Sequence, residues 1–165
     1  MKNIFFLLFF ISGYSIFSQT ITVDALRREY EHAFKDSAVC SKLYKKLIKS
    51  SNTDNITIAY RGAITTAMAN HAKDKKDKLT FFNSGKKLLE QAIAADNINI
   101  EIRFLRFTVQ TNAPKALNYN KHIESDKEFI LKNYPTVTNI AIKRMITSFA
   151  QQSSSLTETE KQKLK

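Results

Sequence analysis

Residues that interrupt helices are scarce in this sequence. The 165 residues include three glycines and two prolines, and beyond the first 18 residues these are Gly62, Gly85, Pro114 and Pro135. Glycine and proline break regular structure most strongly, whereas Lys, Ala, Leu and Glu, which are abundant here, favour helix. The composition therefore predicts an all-α domain whose helices are joined by short loops, without a linker that would divide it.

Cysteine is nearly absent, since Cys40 is the only one in the chain. A single thiol excludes an intramolecular disulfide, so the apolar core alone must hold the fold. As a catalytic nucleophile, Cys40 would need a neighbouring base, and His32 lies two helical turns away without a paired acid. We therefore expect Cys40 to be buried as a small apolar group.

One long apolar run is present, and it lies at the start of the chain. In MKNIFFLLFFISGYSIFS, an early lysine precedes an apolar block at residues 4–11, and Ser18 is a small residue at a suitable cleavage point. This order is typical of a secretory signal peptide, and the block is shorter than the roughly 20 apolar residues that span a bilayer. We predict cleavage near Ser18/Gln19 and an exported protein, periplasmic or secreted, without a transmembrane segment. An uncleaved anchor is the alternative.

Negative charge is in short supply, because 26 Lys and Arg oppose 15 Asp and Glu and give a formal charge of +11. This excess favours adhesion to phosphate, anionic lipid or acidic glycans. Aromatic residues are not interleaved with the lysines as they are in platforms for single-stranded nucleic acid. We therefore predict no nucleic-acid partner and interpret the lysines as solvated helical faces. Membrane-surface or anionic-glycan adhesion through these faces is an alternative.

Apolar residues recur at helical spacing along most of the remaining chain. The predicted helices cover about residues 24–49 with a break near Asp36–Ser37, 54–71, 80–96, 99–112, 121–134, 136–150 and a short segment after Thr157. Thr157 and Glu160 have the spacing of a capping box. We divide the chain into a signal peptide at 1–18, a helical-repeat-like domain at 19–152, and a polar C-terminal tail with a short, exposed helix at 153–165.

Three of the predicted helix ends align with one another at the same internal spacing. They are Cys40, Tyr44, Leu47, Asn52; then Gly85, Leu89, Ala92, Asn97; then Ile123, Lys127, Ile130, Pro135. The stretch GKKLLEQAIAADNINIEIRFLRF resembles a tetratricopeptide repeat, with Gly85 and Ala92 at small positions and Leu89 at the bulky one. The resemblance implies antiparallel helical hairpins stacked as a short, right-handed tetratricopeptide-like array. It also gives Cys40 the packed position that Gly85 has in the next unit.

The segment NIEIRFLRFTVQTN, residues 99–112, places two arginines inside an apolar run. Its early alternation would suit a strand. As a helix, it has two opposite apolar stripes with two polar flanks between them. The stripes are Ile100, Phe104, Phe107 and Ile102, Leu105, Val109, and the flanks are Arg103, Arg106, Gln110 and Glu101, Thr108, Asn112. Such a helix is expected to be sandwiched between neighbours, with its arginines along one edge.

Two interpretations of this arginine edge remain open. In the first, Arg103 and Arg106 pair with carboxylates of an adjacent helix, such as Glu90 or Asp126, and fix the packing of the helices. In the second, the edge faces the groove of the array, where the planar guanidinium groups bind a carboxylate or phosphate of a partner.

The sequence contains none of the common catalytic or metal-binding motifs. No His-Glu-x-x-His pattern, glycine-rich phosphate loop or Gly-x-Ser-x-Gly elbow is present, so we predict no cofactor, metal or catalytic residue. The expected function is a non-catalytic exported binding or scaffold module that recognises a protein segment or an anionic envelope component through a helical groove. The predicted groove residues are Arg103, Arg106, Gln110, Tyr60 and Arg61. The alternative is a small hydrolase or transferase whose site assembles from distant residues, with His71, His122 or Glu101 as candidates.

Overall fold

The computed structural model describes residues 21–165, so the predicted signal peptide lies outside the described residues. In this range the α-helices are α1 Val23–Lys35, α2 Ser37–Lys49, α3 Asn55–His71, α4 Lys75–Ala95, α5 Ile100–Asn112, α6 Ile123–Asn133, α7 Ile140–Gln152 and α8 Glu158–Gln162. Short 3-10 turns follow α5 and α6. Residues 21–165 contain no strand, so the predicted all-α fold is confirmed and the strand alternative for residues 99–112 is wrong.

Polar residues immediately before the helices determine where the helices begin. Asp36, the single residue between α1 and α2, accepts hydrogen bonds from the backbone amides of Ala38 at 2.7 Å and Val39 at 3.1 Å. The amides of Val39 and Ala38 lower the pKa of the Asp36 carboxyl, and the cap confirms the predicted break between the two helices. At α8, Thr157 and Glu160 form the reciprocal capping box that their spacing predicts.

Helices α3 and α4, the two longest, approach each other through a pair of glycines. A Cβ atom added at Gly62 would lie 2.8 Å from the carbonyl oxygen of Gly85, and one added at Gly85 would lie 2.5 Å from that of Gly62. Backbone atoms cannot move aside as a flexible side chain can, so the spacing of these two helices depends on the missing side chains.

The odd-numbered helices contact one another in succession, with α1 on α3, α3 on α5 and α5 on α7. This order is the one that stacked hairpins give. The two ends of the array also meet, because α7 packs against α1. There, Ser148 donates a hydrogen bond to Glu31 at 3.1 Å, and Lys35 donates one to Gln152 at 3.3 Å. The described helices therefore close on themselves, whereas an open superhelix would keep its first and last hairpins apart.

One apolar core extends through α1 to α7. Its wholly buried members include Tyr60, Leu89 and Leu105, while Leu79 and Ile48 are large apolar residues that stay half exposed. Within residues 21–165, no helix combines the length and the apolar composition that crossing a bilayer requires.

The C-terminal segment is packed more closely than the exposed tail expected from the sequence. Leu156 and Leu164 are 6% and 2% exposed. The carbonyl of Leu164 accepts a hydrogen bond from the hydroxyl of Thr147 at 2.7 Å, and Glu160 pairs with Lys127 at 3.3 Å. Helix α8 itself contains no buried residue. The packing of the leucines on either side of it was not predicted, because two isolated leucines in a polar stretch carry no helical periodicity.

Replacing Gly85 with alanine should destabilise the protein by about 2 kcal/mol, because overpacking against the backbone of α3 outweighs the roughly 1 kcal/mol gain in helix propensity. The free energy of unfolding from a urea titration measures this change. Ser84→Ala is the matched control, since Ser84 is the preceding residue and is exposed. The control should stay within about 0.5 kcal/mol of the parent protein. Equal stability of the two variants would contradict the close contact.

Candidate functional site

Helix α5 is buried on nearly every side, which places charged side chains inside the protein. Asn99 caps it by accepting hydrogen bonds from the amides of Glu101 at 3.1 Å and Ile102 at 3.3 Å. Its buried residues are Glu101, Ile102, Phe104, Leu105, Arg106, Phe107, Thr108, Val109 and Gln110. The prediction of an inner helix with two apolar faces is confirmed, and much of both polar flanks is buried as well.

One flank of α5 carries what we call the arginine cluster, composed of Arg103, Arg106, Glu90 and Asp126. Arg106 binds Asp126 through two parallel hydrogen bonds, from Nε to Oδ2 at 2.7 Å and from Nη2 to Oδ1 at 2.8 Å. Its Nη1 donates to Glu90 at 3.1 Å, and Nη1 of Arg103 donates to Asp126 at 2.9 Å. Paired bonds of this kind fix geometry as well as charge. The cluster therefore joins α4, α5 and α6.

The centre of the arginine cluster is closed to water. Asp126 is 0% exposed and Arg106 is 4% exposed. Burial acts to lower the pKa of Arg106, but its bonds to Asp126 and the charges of Asp126 and Glu90 outweigh burial and raise the pKa above its usual value. Two guanidinium groups and two carboxylates balance one another. The geometry is that of the first interpretation of the arginine edge, in which these residues pair with Glu90 and Asp126.

The outer part of the arginine cluster is also engaged within the chain. Nε of Arg103 donates to the carbonyl of Asn97 at 2.6 Å, and the guanidinium group lies 4.4 Å from the ring centroid of Phe129. Glu90, at the more exposed edge, accepts a hydrogen bond from the hydroxyl of Tyr119 at 2.6 Å. Burial and then Glu90 raise the pKa of Tyr119 well above its usual value, so the phenol stays a donor.

The opposite flank of α5 carries a second buried carboxylate, that of Glu101, which is 1% exposed. Its Oε1 accepts hydrogen bonds from Nε of Arg27 at 2.8 Å and from the hydroxyl of Tyr60 at 2.7 Å, and its Oε2 accepts one from Nη2 of Arg27 at 2.7 Å. The Tyr60 hydroxyl also lies 3.6 Å from Sδ of Met145. This Glu101 cluster, of Glu101, Arg27, Tyr60 and Met145, joins α5 to α1, α3 and α7.

The other predicted groove residues are also turned toward the protein. Tyr60 is 0% exposed, and burial together with the charge of Glu101 raises the pKa of its hydroxyl. Arg61 donates to the carbonyls of Ser50 and Asn52 at 3.0 and 3.1 Å and so fastens the loop between α2 and α3. Gln110 is 2% exposed, and among residues 21–165 neither polar atom of its side chain has a hydrogen-bond partner. Partner binding by the five predicted residues stays a prediction.

The candidates for a catalytic site lie in three separate settings. Glu101 is held by Arg27 and Tyr60, Nε2 of His71 lies 2.9 Å from the carbonyl oxygen of Ala33, and His122 is exposed. None of the hydrogen bonds of residues 21–165 joins two of these three side chains. In the same range, no group of three His, Cys, Asp or Glu residues is arranged to hold a metal ion.

Cys40 is buried, as the sequence predicts. Its side chain is 0% exposed, and Sγ lies 3.9 Å from the carbonyl oxygen of Ile64. Burial raises the pKa of the thiol to about 11. A thiol with this pKa is almost wholly protonated at neutral pH and is a poor nucleophile.

An open groove of about 530 Å³ lies where α3, α4 and the turn after α5 meet, and we call it the lysine groove. Its apolar wall consists of Phe34, Leu79, Phe82, Val109, Pro114 and Leu117, and Leu79 is 50% exposed. Lys75 and Lys78, in the first turn of α4, line the same groove. Sequence reasoning missed it because it treated the lysines of residues 73–78 as a solvated face. The available signal was the apolar Leu79 directly after them.

No protein-family model, curated protein or solved structure matches this chain. The resemblance to tetratricopeptide repeats therefore stays a prediction from the sequence pattern. The two buried clusters and the lysine groove are the most specific features of the described residues.

Replacing Asp126 with asparagine should destabilise the protein by about 3 kcal/mol, because the buried guanidinium group of Arg106 loses its buried charge partner and keeps only the more exposed Glu90. Thermal and urea unfolding measure the change. Glu124→Gln on the same helix is the matched control, because Glu124 is 74% exposed and its pair with Lys127 contributes less than about 1 kcal/mol. A loss of stability no greater than that of the control would show that Asp126 does not hold Arg106 in the folded state.

Cys40 in the folded protein should react with iodoacetamide at pH 8 more than about a hundredfold more slowly than in the unfolded chain, because a raised pKa leaves little thiolate. Mass spectrometry of the alkylated protein, with and without denaturant, measures both rates. Between about pH 8.5, where an unfolded thiol ionises, and about pH 11, this residue should lower stability as pH rises, since deprotonation favours the unfolded chain. Equal rates would mean that the thiol is accessible.

Proposed function

We propose that the protein is a non-catalytic exported binding module, built as a tetratricopeptide-like helical array, that recognises an acidic amphipathic segment of a partner protein. The observation that carries this proposal is the lysine groove, in which an apolar wall and two cationic side chains border one open volume. The partner is a protein segment, as the sequence predicts, but it contacts Lys75 and Lys78 and not the predicted Arg103 and Arg106.

The apolar wall of the lysine groove suits the apolar face of a helix or an extended segment. At about 530 Å³, the groove lies within the range of about 300–1,000 Å³ that binding cavities occupy. Leu79 is half exposed, and Phe34 and Leu117 are partly exposed beside it. A contiguous apolar surface with a charged rim is typical of interaction sites, and apolar side chains three or four residues apart on a partner helix would cover it.

The charge at the lysine groove determines which kind of partner segment would bind there. Lys75 and Lys78 lie in the first turn of α4 and line the groove, while the N-cap Asp74 accepts hydrogen bonds from the amides of Lys76 and Asp77. The whole chain carries a formal charge of +11, which speeds the approach of an acidic partner. An acidic segment with apolar residues therefore complements both parts of the groove.

The arginine cluster is less suited to binding an external anion than the lysine groove is. Its two guanidinium groups are already balanced by Glu90 and Asp126, and Arg106 is 4% exposed. An anion arriving there would have to replace short internal hydrogen bonds before gaining any of its own. Among residues 21–165, the side chains of Lys75 and Lys78 form no ion pair that an arriving anion would have to replace.

Charge reversal in the groove tests the proposal. The probe is a fluorescent amphipathic peptide of glutamate and leucine, and its anisotropy reports the Kd. The double variant Lys75→Glu, Lys78→Glu should bind at least about tenfold more weakly, since two attractions become repulsions. The matched control, Lys45→Glu with Lys49→Glu, makes the same change in net charge at exposed sites on α2 and should change the Kd by less than about twofold.

A second pair of variants tests the apolar wall of the lysine groove. Leu79→Ala should weaken binding about fivefold, because half of a leucine side chain is no longer covered by the peptide. Ile48→Ala on α2 removes apolar surface that is equally exposed, at 52%, and should have no effect. Equal losses for the groove and control variants would contradict a defined site. Tighter binding to anionic vesicles than to the peptide would favour membrane adhesion instead.

A further inference from the structure

A second cavity adjoins the lysine groove, and Phe34 and Asn112 line both. It has a volume of about 330 Å³ and is walled by α1, α5, α7 and residues 153–155. We call it the Glu31 pocket. It lies where the first and seventh helices meet, so closure of the helical array creates it.

The carboxylate of Glu31 lines this pocket, and one of its two oxygens has a hydrogen-bond partner. Oε2 accepts a hydrogen bond from the hydroxyl of Ser148 at 3.1 Å. Oε1 is buried, and among residues 21–165 it has no hydrogen-bond partner. A buried acceptor without a donor is costly, so a rotation of the Glu31 side chain that brings Oε1 to a ligand N–H donor in the pocket would be favourable.

Lys35, one helical turn after Glu31, lines the same pocket. Its Nζ donates to Oε1 of Gln152 at 3.3 Å, a long bond to a neutral amide. Glu31 and Lys35 are thus each bonded to a neutral partner, Ser148 and Gln152. A ligand with both an ammonium and a carboxylate group would give Oε1 of Glu31 a charged donor and give Lys35 a charged acceptor in place of the neutral Gln152, and hydrogen bonds of this kind are the stronger ones.

The remaining wall of the Glu31 pocket is aromatic. Phe34 and Phe149 are partly exposed, and Tyr30 and Phe104 behind them are 3% and 2% exposed. Tyr30 meets Phe34 edge-on at 5.2 Å, and Phe104 meets Phe149 edge-on at 5.7 Å. These contacts hold the outer rings in place, where they can pack against a further aromatic ring and attract an ammonium group.

We infer that the Glu31 pocket binds a free aromatic α-amino acid. Its ammonium group donates to Glu31, its carboxylate accepts from Lys35, and its ring packs against Phe34 and Phe149. The volume of about 330 Å³ lies at the lower end of the range for binding cavities and suits a ligand of this size. The Glu31 pocket shares Phe34 and Asn112 with the lysine groove, but the inference does not depend on a partner protein binding there.

Three probes separate the parts of this recognition. L-phenylalanine carries both charges, N-acetyl-L-phenylalanine lacks the ammonium group, and L-phenylalaninamide lacks the carboxylate. Isothermal titration of the folded protein should give a Kd of about 1 mM or lower for L-phenylalanine. Each analogue should bind at least about tenfold more weakly, because it loses one charge-assisted hydrogen bond.

Two variants assign these losses to residues. Glu31→Gln should weaken the binding of L-phenylalanine about tenfold, so that L-phenylalanine and its N-acetyl analogue bind with equal affinity. Lys35→Gln should bind L-phenylalanine and L-phenylalaninamide with equal affinity. It should still bind L-phenylalanine more tightly than the N-acetyl analogue. Glu29→Gln is the matched control, since Glu29 lies on the same helix outside the pocket, and it should leave all three affinities unchanged.

The inference is overturned if L-phenylalanine shows no saturable binding up to about 10 mM, or if the three probes bind equally. It is also overturned if Glu31→Gln binds all three as the parent protein does. Circular dichroism checks that each variant is folded. If Glu31→Gln fails to fold, the test depends on Lys35→Gln. The inference is then overturned if this variant still binds L-phenylalanine more tightly than L-phenylalaninamide by the same factor as the parent protein.

Discussion

The carboxylate of Glu101 is the group on which the arrangement of the helices depends. It is 1% exposed, and its bonds to Arg27 and Tyr60, with Met145 beside them, bring α1, α3, α5 and α7 to one point. A buried charge without these partners would be strongly unfavourable, so a packing that separates Glu101 from them is disfavoured. Apolar contacts supply most of the driving force for this core, while the charged group specifies which helices meet.

The arginine cluster does the same on the opposite flank of α5, where Arg106 and Asp126 join α4, α5 and α6. Helix α5 thus has apolar contacts on two sides and a compensated charge cluster on each of the others. Its arginines, which the sequence makes conspicuous, are largely occupied in holding the domain together. Among the cations at the surface of the described residues, Lys75 and Lys78 border an apolar groove.

Local features of this structure could be predicted from the sequence, and distant pairings could not. The cap at Asp36, the two apolar faces of α5 and the burial of Cys40 follow from spacings within a few helical turns. The pairing of Glu101 with Arg27 spans 74 residues, and nothing in either neighbourhood indicates the other. The Glu31 pocket was missed for the same reason, because it is formed by α1, α5 and α7, whose relative placement depends on such pairings.

The contact between α1 and α7 has a consequence for cooperativity. In an open stack of repeats, each unit interacts with its neighbours alone, so the ends can melt while the middle stays folded. Here, Glu31 and Ser148 are 117 residues apart and hold the first and last long helices against each other. Neither end can detach without exposing the other. The chain is therefore expected to lose its structure in one all-or-none step, and to acquire it only after α7 has been synthesised.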